Sequence, residues 1–408
     1  MPAPERRTQW DLTAAAVVTV VVLAAATALW WTSDVRNTTL ITATRPAPGV
    51  TPAERLPSAL AEVWRAPSPA TPVPVLQGGT VITGTGVTGA AGEVAGRDLA
   101  SGSIRWSYRR DLPLCTVAAA VHRVVAVYQR GDQCSEVTTL GWADGRRGPQ
   151  RNGPVQAPTR LAADGDHVAT AGRHYLEVWR TDLVRTLAYG RLPTPAQPDT
   201  QPRPDCTHSS MALESGRLAL IEHCPAERSA RLTVQRAHPK QSDQPEVDFS
   251  TPLPGGRAQL VALSAQRVAV ALPDPARLLV FDSRGNQVAA HPLAVPDADL
   301  RADPPGGLAA VTETPTGRYW FTGSATVALD AEDLRPRWTR TGSRGPGSAV
   351  EGRLLLPTPG ALSVLDASTG KDIRTLPVDR GGYLGPVGTA TSGGLVLEQR
   401  GDTLVALR

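Results

Sequence analysis

The chain has 408 residues with 42 basic and 38 acidic side chains, a net charge of +4. That length fits two or three ordinary domains or one repeat fold. Lys occurs only at Lys240 and Lys371, and the Arg residues are interleaved with acids, so the patch or stripe that would track a nucleic-acid backbone is missing and a nucleic-acid partner is not expected.

Residues 12–31, LTAAAVVTVVVLAAATALWW, run uncharged for twenty positions, enough for a helix to cross about 30 Å of hydrocarbon. Trp30 and Trp31 close the run where an aromatic belt would sit, and Arg6 and Arg7 before it favour an N-terminus inside, against Glu5 and Asp11. Ala24 to Ala28 could serve a signal-peptide cleavage site, but signal cores are shorter, about 7–15 residues. The reading is a cytoplasmic tail at 1–11 and an uncleaved single-pass anchor at 12–31 in the cell membrane, with an extracytoplasmic body. No Cys precedes Cys115, which removes a lipid-modified N-terminal Cys. Residues 32–60 carry Pro46, Pro48, Pro52 and Pro57 without a sustained period and read as a semi-extended linker. Asn37-Thr-Thr39 is a glycosylation sequon of a kind that arises often by chance, and carries no weight.

From residue 61 to 408 short runs of Val, Leu, Ala and Thr alternate with Gly, Asp and Pro turns, the pattern of many antiparallel strands. Eight central β-runs stand out: Thr80–Thr83, Val124–Val127, His167–Thr170, Arg217–Ile221, Arg267–Ala271, Arg318–Phe321, Arg353–Leu356 and Gly394–Leu397. Their spacing of about 40 residues is that of a four-stranded propeller blade. A phrase recurs with them: Asp98-Leu-Ala-Ser-Gly102-Ser-Ile-Arg-Trp106, Asp330-Ala-Glu-Asp-Leu-Arg-Pro-Arg-Trp338 and Asp366-Ala-Ser-Thr-Gly370-Lys-Asp-Ile-Arg374. Asp can start a tight turn by bonding backbone two residues on. The repeated Trp residues would pack between neighbouring blades, so Trp64, Asp98, Gly102, Trp106, Asp330, Trp338, Asp366 and Gly370 are read as framework.

Two ends define closure. Leu60-Ala-Glu-Val-Trp64-Arg is a last-strand phrase with no unit before it, while Gly401–Arg408 stops where such a strand should follow. The N-terminal strand is therefore expected to complete the last blade and remove two open sheet edges. The expected fold is all-β: an eight-bladed β-propeller, with seven blades as the alternative, preceded by one transmembrane helix.

Cys115, Cys134, Cys206 and Cys224 form two local pairs, and three connectivities are possible. The adjacent pairing is favoured because each pair flanks an up-and-down pair of strands; each bridge would close a loop of about 20 residues, worth roughly 3 kcal/mol. Disulfides persist outside the cytosol, in agreement with the topology.

Several motifs invite chemistry. Gly84-Thr-Gly86-Val-Thr-Gly89 matches a dinucleotide fingerprint but lacks the following helix, so hairpin glycines are expected. Cys206-Thr-His208 with His223-Cys224 could form a zinc set, with a disulfide as the simpler alternative. Asp297, Asp299 and Asp303 resemble a calcium loop without its Glu and Gly, and read as a solvated acidic loop. No G-x-S-x-G elbow occurs, and the acids are too scattered to nominate a glycosidase pair. No catalytic residue, metal ligand or cofactor is assigned. The Pro-rich stretches 192–204, 239–256 and 292–306 read as face loops, the usual place for partner contacts.

The segments Val94–Trp106 and Leu365–Lys371 resemble the repeat of pyrroloquinoline-quinone-type β-propellers, which build quinoprotein dehydrogenases and non-catalytic propellers such as an outer-membrane assembly lipoprotein. The dehydrogenases carry vicinal cysteines against the quinone, and this chain has no adjacent pair. Trp106–Cys115, Val125–Val137, Asp182–Gly190 and Phe321–Asp330 resemble an actinobacterial family of single-span envelope proteins that includes the polar growth factor A proteins. That resemblance implies polar growth and trehalose monomycolate trafficking beside an RND-type exporter. The reading is a non-catalytic envelope scaffold whose partners are a membrane transporter or synthase and a glycolipid. The alternatives are a quinone-dependent dehydrogenase or a propeller-type glycan hydrolase.

Overall fold

The computed structural model describes residues 8–31, 33, 36–47, 49–50, 59–89, 91–157, 159–194 and 199–408. Arg6 and Arg7, on which the expected orientation rests, lie outside the described residues, as do Pro48, Pro52 and Pro57.

Eight antiparallel sheets form a ring, one for each recurring unit. Strands in each blade are called A to D from the axis outward; A strands of neighbouring blades meet around the axis. Blade 1 is built from Val75–Gln77, Thr80–Thr85, Glu93–Asp98 and Ile104–Arg110. Blades 2 to 7 follow over 114–152, 161–190, 207–252, 259–292, 310–341 and 348–377. Blade 8 takes Val387–Ser392, Leu395–Arg400 and Thr403–Leu407, then Glu62–Pro67 as its D strand. Trp64 stands opposite Ala406, and Ala61 and Arg408 exchange backbone hydrogen bonds of 2.8 and 2.9 Å. The eight β-runs read from the sequence are the B strands. Their near-continuous apolar runs suit strands covered on both faces: in Arg267–Leu272 every residue after the Arg is buried. D strands such as Gln287–Pro292 are largely open to solvent.

The core is divided accordingly. Eight apolar clusters occupy the eight spaces between neighbouring blades, including one shared by blades 8 and 1 around Trp64, Val81 and Leu404. Closure thus seals the eighth slab as well as pairing two strand edges.

The ring has two distinct faces. The entry face carries the links from each D strand to the next A strand and the B–C turns. The opposite face carries the A–B hairpins and the C–D turns. Of the Pro-rich stretches, the described ends of 192–204 and all of 292–306 lie on the entry face. The third, 239–256, is not one loop: it contains the D strand Val247–Pro252 and is shared between both faces.

The N-terminal helix runs Gln9–Trp31, three residues longer than the uncharged run. Thr8 and Asp11 cap it reciprocally: the Asp11 carboxylate accepts from the Thr8 backbone N–H at 2.8 Å, and the Thr8 hydroxyl accepts from the Asp11 N–H at 3.3 Å. None of its residues is buried, and it is long and apolar enough to cross a membrane.

The stretch read as a linker carries a strand. Thr38–Ile41 pairs with the D strand of blade 1, Thr38 opposite Arg110 and Ile41 opposite Ser107, making that blade five-stranded. Asn37 of the sequon donates to Asp111 at 2.8 Å, Ala43 N–H bonds the Asp144 carbonyl at 3.1 Å, and Arg105 donates to the Arg45 carbonyl at 2.7 Å. Four residues are too few to display an alternation; the open edge of blade 1 supplies what the sequence does not.

Candidate functional site

The framework residues meet in pairs across blade boundaries, on the opposite face. Trp64 of blade 8 lies on the C–D turn of blade 1, where a Cβ on Gly102 would fall 2.6 Å from its ring, and it donates its indole N–H to the Leu99 carbonyl at 3.0 Å. Trp106 meets Gly145 and the Trp142 carbonyl in the same way, and Trp338 meets Gly370 and the Ala367 carbonyl. Phe249 takes this place over Gly285. Asp98, Asp330 and Asp366 hold the turns from within: Asp366 Oδ1 accepts from the backbone and hydroxyls of Ser368 and Thr369, which together lower its pKa to about 2. Where no aromatic arrives, a leucine fills the slot. Leu334 and Leu183 sit in the left-handed glycine position, φ 57° and 64°, fully buried. This is an interlock between blades, with no opening for a ligand.

Both disulfides lie at the entry end of their blades. Cys115–Cys134 ties strand A of blade 2 to the start of strand C. Cys206–Cys224 ties the residue before strand A of blade 4 to the residue after strand B. The second bridge consumes both thiols of the zinc alternative, and among the described residues no three His, Cys, Asp or Glu side chains converge on a metal position.

Beside Cys206–Cys224 opens a pocket of about 780 Å³, walled by His174, Arg191, Arg203, Asp205, His223 and Glu227. Its floor is fixed. The Glu222 carboxylate, fully buried, accepts from the Tyr189 hydroxyl at 2.7 Å, from Arg203 Nε at 3.0 Å and from the Thr233 hydroxyl. Arg203 also donates to Tyr189 and Thr233, at 3.0 and 3.1 Å. A buried carboxylate satisfied this completely is a structural post and not a free base. His208 lies against the Tyr189 ring, centroids 5.7 Å apart. Burial lowers its pKa to about 4, so its ring is neutral at neutral pH. The rim differs: Arg191 and Asp205 pair at 2.8 Å in open solvent, where an ion pair stabilises little and can exchange partners. The arrangement is a shaped recess with a rigid base and an adaptable, mixed-charge rim.

The acidic segment before blade 6 is a solvated loop only in part: Asp303 is exposed as expected, but Asp297 and Asp299 are half-buried and bonded. Asp297–Arg301 is a short helix. Asp299 accepts from the Thr322 hydroxyl at 2.6 Å and from the Ser324 hydroxyl and N–H at 2.7 and 3.1 Å, while Asp297 accepts from the Asp274 N–H. Asp299 is thus stapled to the B–C turn of blade 6 and Asp297 to the B–C turn of blade 5. The chain then crosses toward blades 3 and 4: Leu308 packs with their shared slab, and Gly306 lies so close to Arg160 that a Cβ would fall 2.4 Å from its side chain. On the opposite face Arg318 of blade 6 reaches Glu214 of blade 4 with two bonds, 2.8 and 2.9 Å, and also bonds Glu313. The ring is thus braced near its axis at both ends. The glycines at Gly84, Gly86 and Gly89 belong to strand B of blade 1 and the turn after it; Gly84 faces Ala70 and Val117 too closely for a side chain.

The sequence reading missed the buried carboxylates. Glu136, Glu177, Glu222 and Glu398 are all buried, and each is paired with Arg: Arg130, Arg151, Arg203 and Arg380 respectively. The signal was present as a lone Glu inside an apolar strand run, as in Leu176-Glu177-Val178 or Leu397-Glu398.

No protein-family model matches the chain, and no curated protein matches it. Among solved structures it resembles BamB from Moraxella catarrhalis, with a TM-score of 0.51 and 12% identity over 86% of this chain and 100% of that one. It also resembles Sqt1 from Saccharomyces cerevisiae, with a TM-score of 0.51 and 11% identity over 86% and 99% of the two chains. At such identities the likeness is one of fold, a β-propeller ring. Neither match carries the narrower resemblance to quinone-type repeats or to the actinobacterial family.

Proposed function

We propose that this chain is a membrane-anchored, extracytoplasmic binding propeller that holds an integral membrane protein of the cell envelope and catalyses no reaction itself. The observation that carries this reading is the contrast between floor and rim on the entry face of blade 4. Disulfide Cys206–Cys224 and the Glu222–Arg203–Tyr189 network fix the recess, while the Arg191–Asp205 pair leaves adaptable charges at its mouth beside Glu227, which Arg231 holds. A rigid recess with exchangeable rim pairs suits recognition, where preorganisation lowers the cost of binding. The apolar helix and the two disulfides support an exported body on a single span. The finer reading names an RND-type exporter as partner, a trehalose monomycolate-type glycolipid as ligand and a role in polar growth. It rests on the resemblance of the segments Trp106–Cys115, Val125–Val137, Asp182–Gly190 and Phe321–Asp330.

A photo-crosslinking residue at Arg191 or Glu227 tests the proposal in living cells, with one at Glu332 on the opposite face as reference. The expected result is an integral membrane protein captured from the two rim positions and not from Glu332. Recovery of no envelope protein above background from either rim position would overturn it.

A further inference from the structure

We infer that the entry face is the membrane-facing side of the ring, held there by the strand Thr38–Ile41. The inference rests on the reading of Gln9–Trp31 as a membrane anchor and adds the side on which the partner must lie.

The argument is one of reach. If residues 32–60 were a free linker, the chain between Trp31 and Glu62 could extend to roughly 100 Å, and the ring could present either face. The strand removes that freedom. Thr38 is pinned opposite Arg110, so only six residues separate it from Trp31, a reach of at most about 25 Å. The place where it is pinned matters as much as the length. Arg110 ends the D strand of blade 1 and leads directly into the entry-face link to blade 2, beginning at Asp111, which Asn37 bonds. From Thr38 the chain runs down the outer edge to the opposite face, where Ala43 bonds Asp144 of a C–D turn. The anchor therefore leaves the ring at its entry end. The opposite face lies farther along the strand direction by about 20 Å, the length of a strand of this size. The recess beside Cys206–Cys224 and the loop 292–306 open on the near side. A partner gripped there is met close to the bilayer surface, which fits the membrane-proximal surface of an integral membrane protein.

The test uses the full chain in vesicles of phosphatidylcholine and phosphatidylglycerol carrying a headgroup nitroxide. The described cysteines are all paired, so single substitutions can be labelled selectively. Fluorophores go on Asp132→Cys in a B–C turn of blade 2, on Ala226→Cys at the recess, and on Ala100→Cys in a C–D turn of blade 1. Quenching at Asp132→Cys and Ala226→Cys is expected to exceed that at Ala100→Cys several-fold. In the background of Thr39→Pro, which removes the N–H facing Arg109 across the fifth strand (Arg110 N–H already turns inward to the Gly92 carbonyl), that difference is expected to collapse while the ring keeps its thermal transition. Equal or reversed quenching in a chain that stays with the vesicles overturns the orientation and leaves the binding proposal standing. A chain that does not stay with the vesicles overturns the anchor reading and the orientation together.

Discussion

Trp64 lies on Gly102, and this contact joins the last blade to the first. A Cβ on Gly102 would come within 2.6 Å of the indole, and the backbone there is left-handed, with φ +71°. The glycine is required twice, once for space and once for backbone geometry.

Gly102→Ala should therefore cost about 2–4 kcal/mol, combining a left-handed alanine with an overpacked interface. Gly131→Ala is the matched control: φ is +63°, and a Cβ at that position would meet nothing within 4 Å. It should cost only the backbone share, about 1 kcal/mol. Urea unfolding of both variants decides the matter, and equal losses would show that the Trp64 contact contributes nothing to closure.

Leu334 makes the reverse case. It occupies a left-handed position that glycine would relax, yet it is fully buried between blades 5 and 6. Leu334→Gly regains about 1 kcal/mol of backbone strain and forfeits about 2–5 kcal/mol of buried side chain. Net destabilisation is expected in thermal unfolding; a variant more stable than the parent would refute the slot-filling role.

Replacing Cys206 and Cys224 together by Ala should lower stability by about 3 kcal/mol in the chain-entropy model. Hydrogen exchange should rise around residues 203–207 and 223–228 and stay unchanged in blade 8. Uniform acceleration across all blades would mean that the bridge supports the whole ring and not the recess.

His208 predicts a pH dependence. Burial lowers its pKa from 6.5 to about 4, with the Glu222 carboxylate opposing the shift and His174 adding to it. Above pH 6.5 the ring is neutral in both folded and unfolded chains, so it contributes no slope. Between 6.5 and about 4 the unfolded chain binds a proton that the folded chain refuses, and stability falls as pH falls. Below about 4 both states are protonated and the contribution levels off. His208→Phe, still able to lie on Tyr189, should flatten the fall in melting temperature over that interval. An unchanged slope would assign the dependence to other groups.

The ring was legible because its information is repeated. Eight apolar B strands at a steady spacing report one blade each, and the unmatched Trp64 reports how they close. The leucine at 334 was visible too, standing where Gly102 and Gly370 stand in the aligned phrases, but its meaning depends on the blade before it. What escaped reading depends on partners distant in sequence. Glu222 needs Arg203 and Tyr189 from another strand and a link, Asp299 needs the turn of blade 6, and Thr38–Ile41 takes its conformation from an edge already formed. The recess is made of such single-use contacts, so no period announces it.

Closure also orders events in time. Gln399 bonds the Ser68 carbonyl across 331 positions of sequence, and Trp64 meets its neighbour strand only at Ala406. During synthesis the segment Glu62–Pro67 emerges early and waits, unpaired, for almost the whole body to follow. Loops this long are slow to close, so seven blades can assemble while the eighth remains a pair of loose ends. A waiting strand with an exposed edge is open to capture by another chain. A fast-forming blade 1, whose Gly102 turn and Leu99 carbonyl receive Trp64, would shelter that strand until the ring is complete.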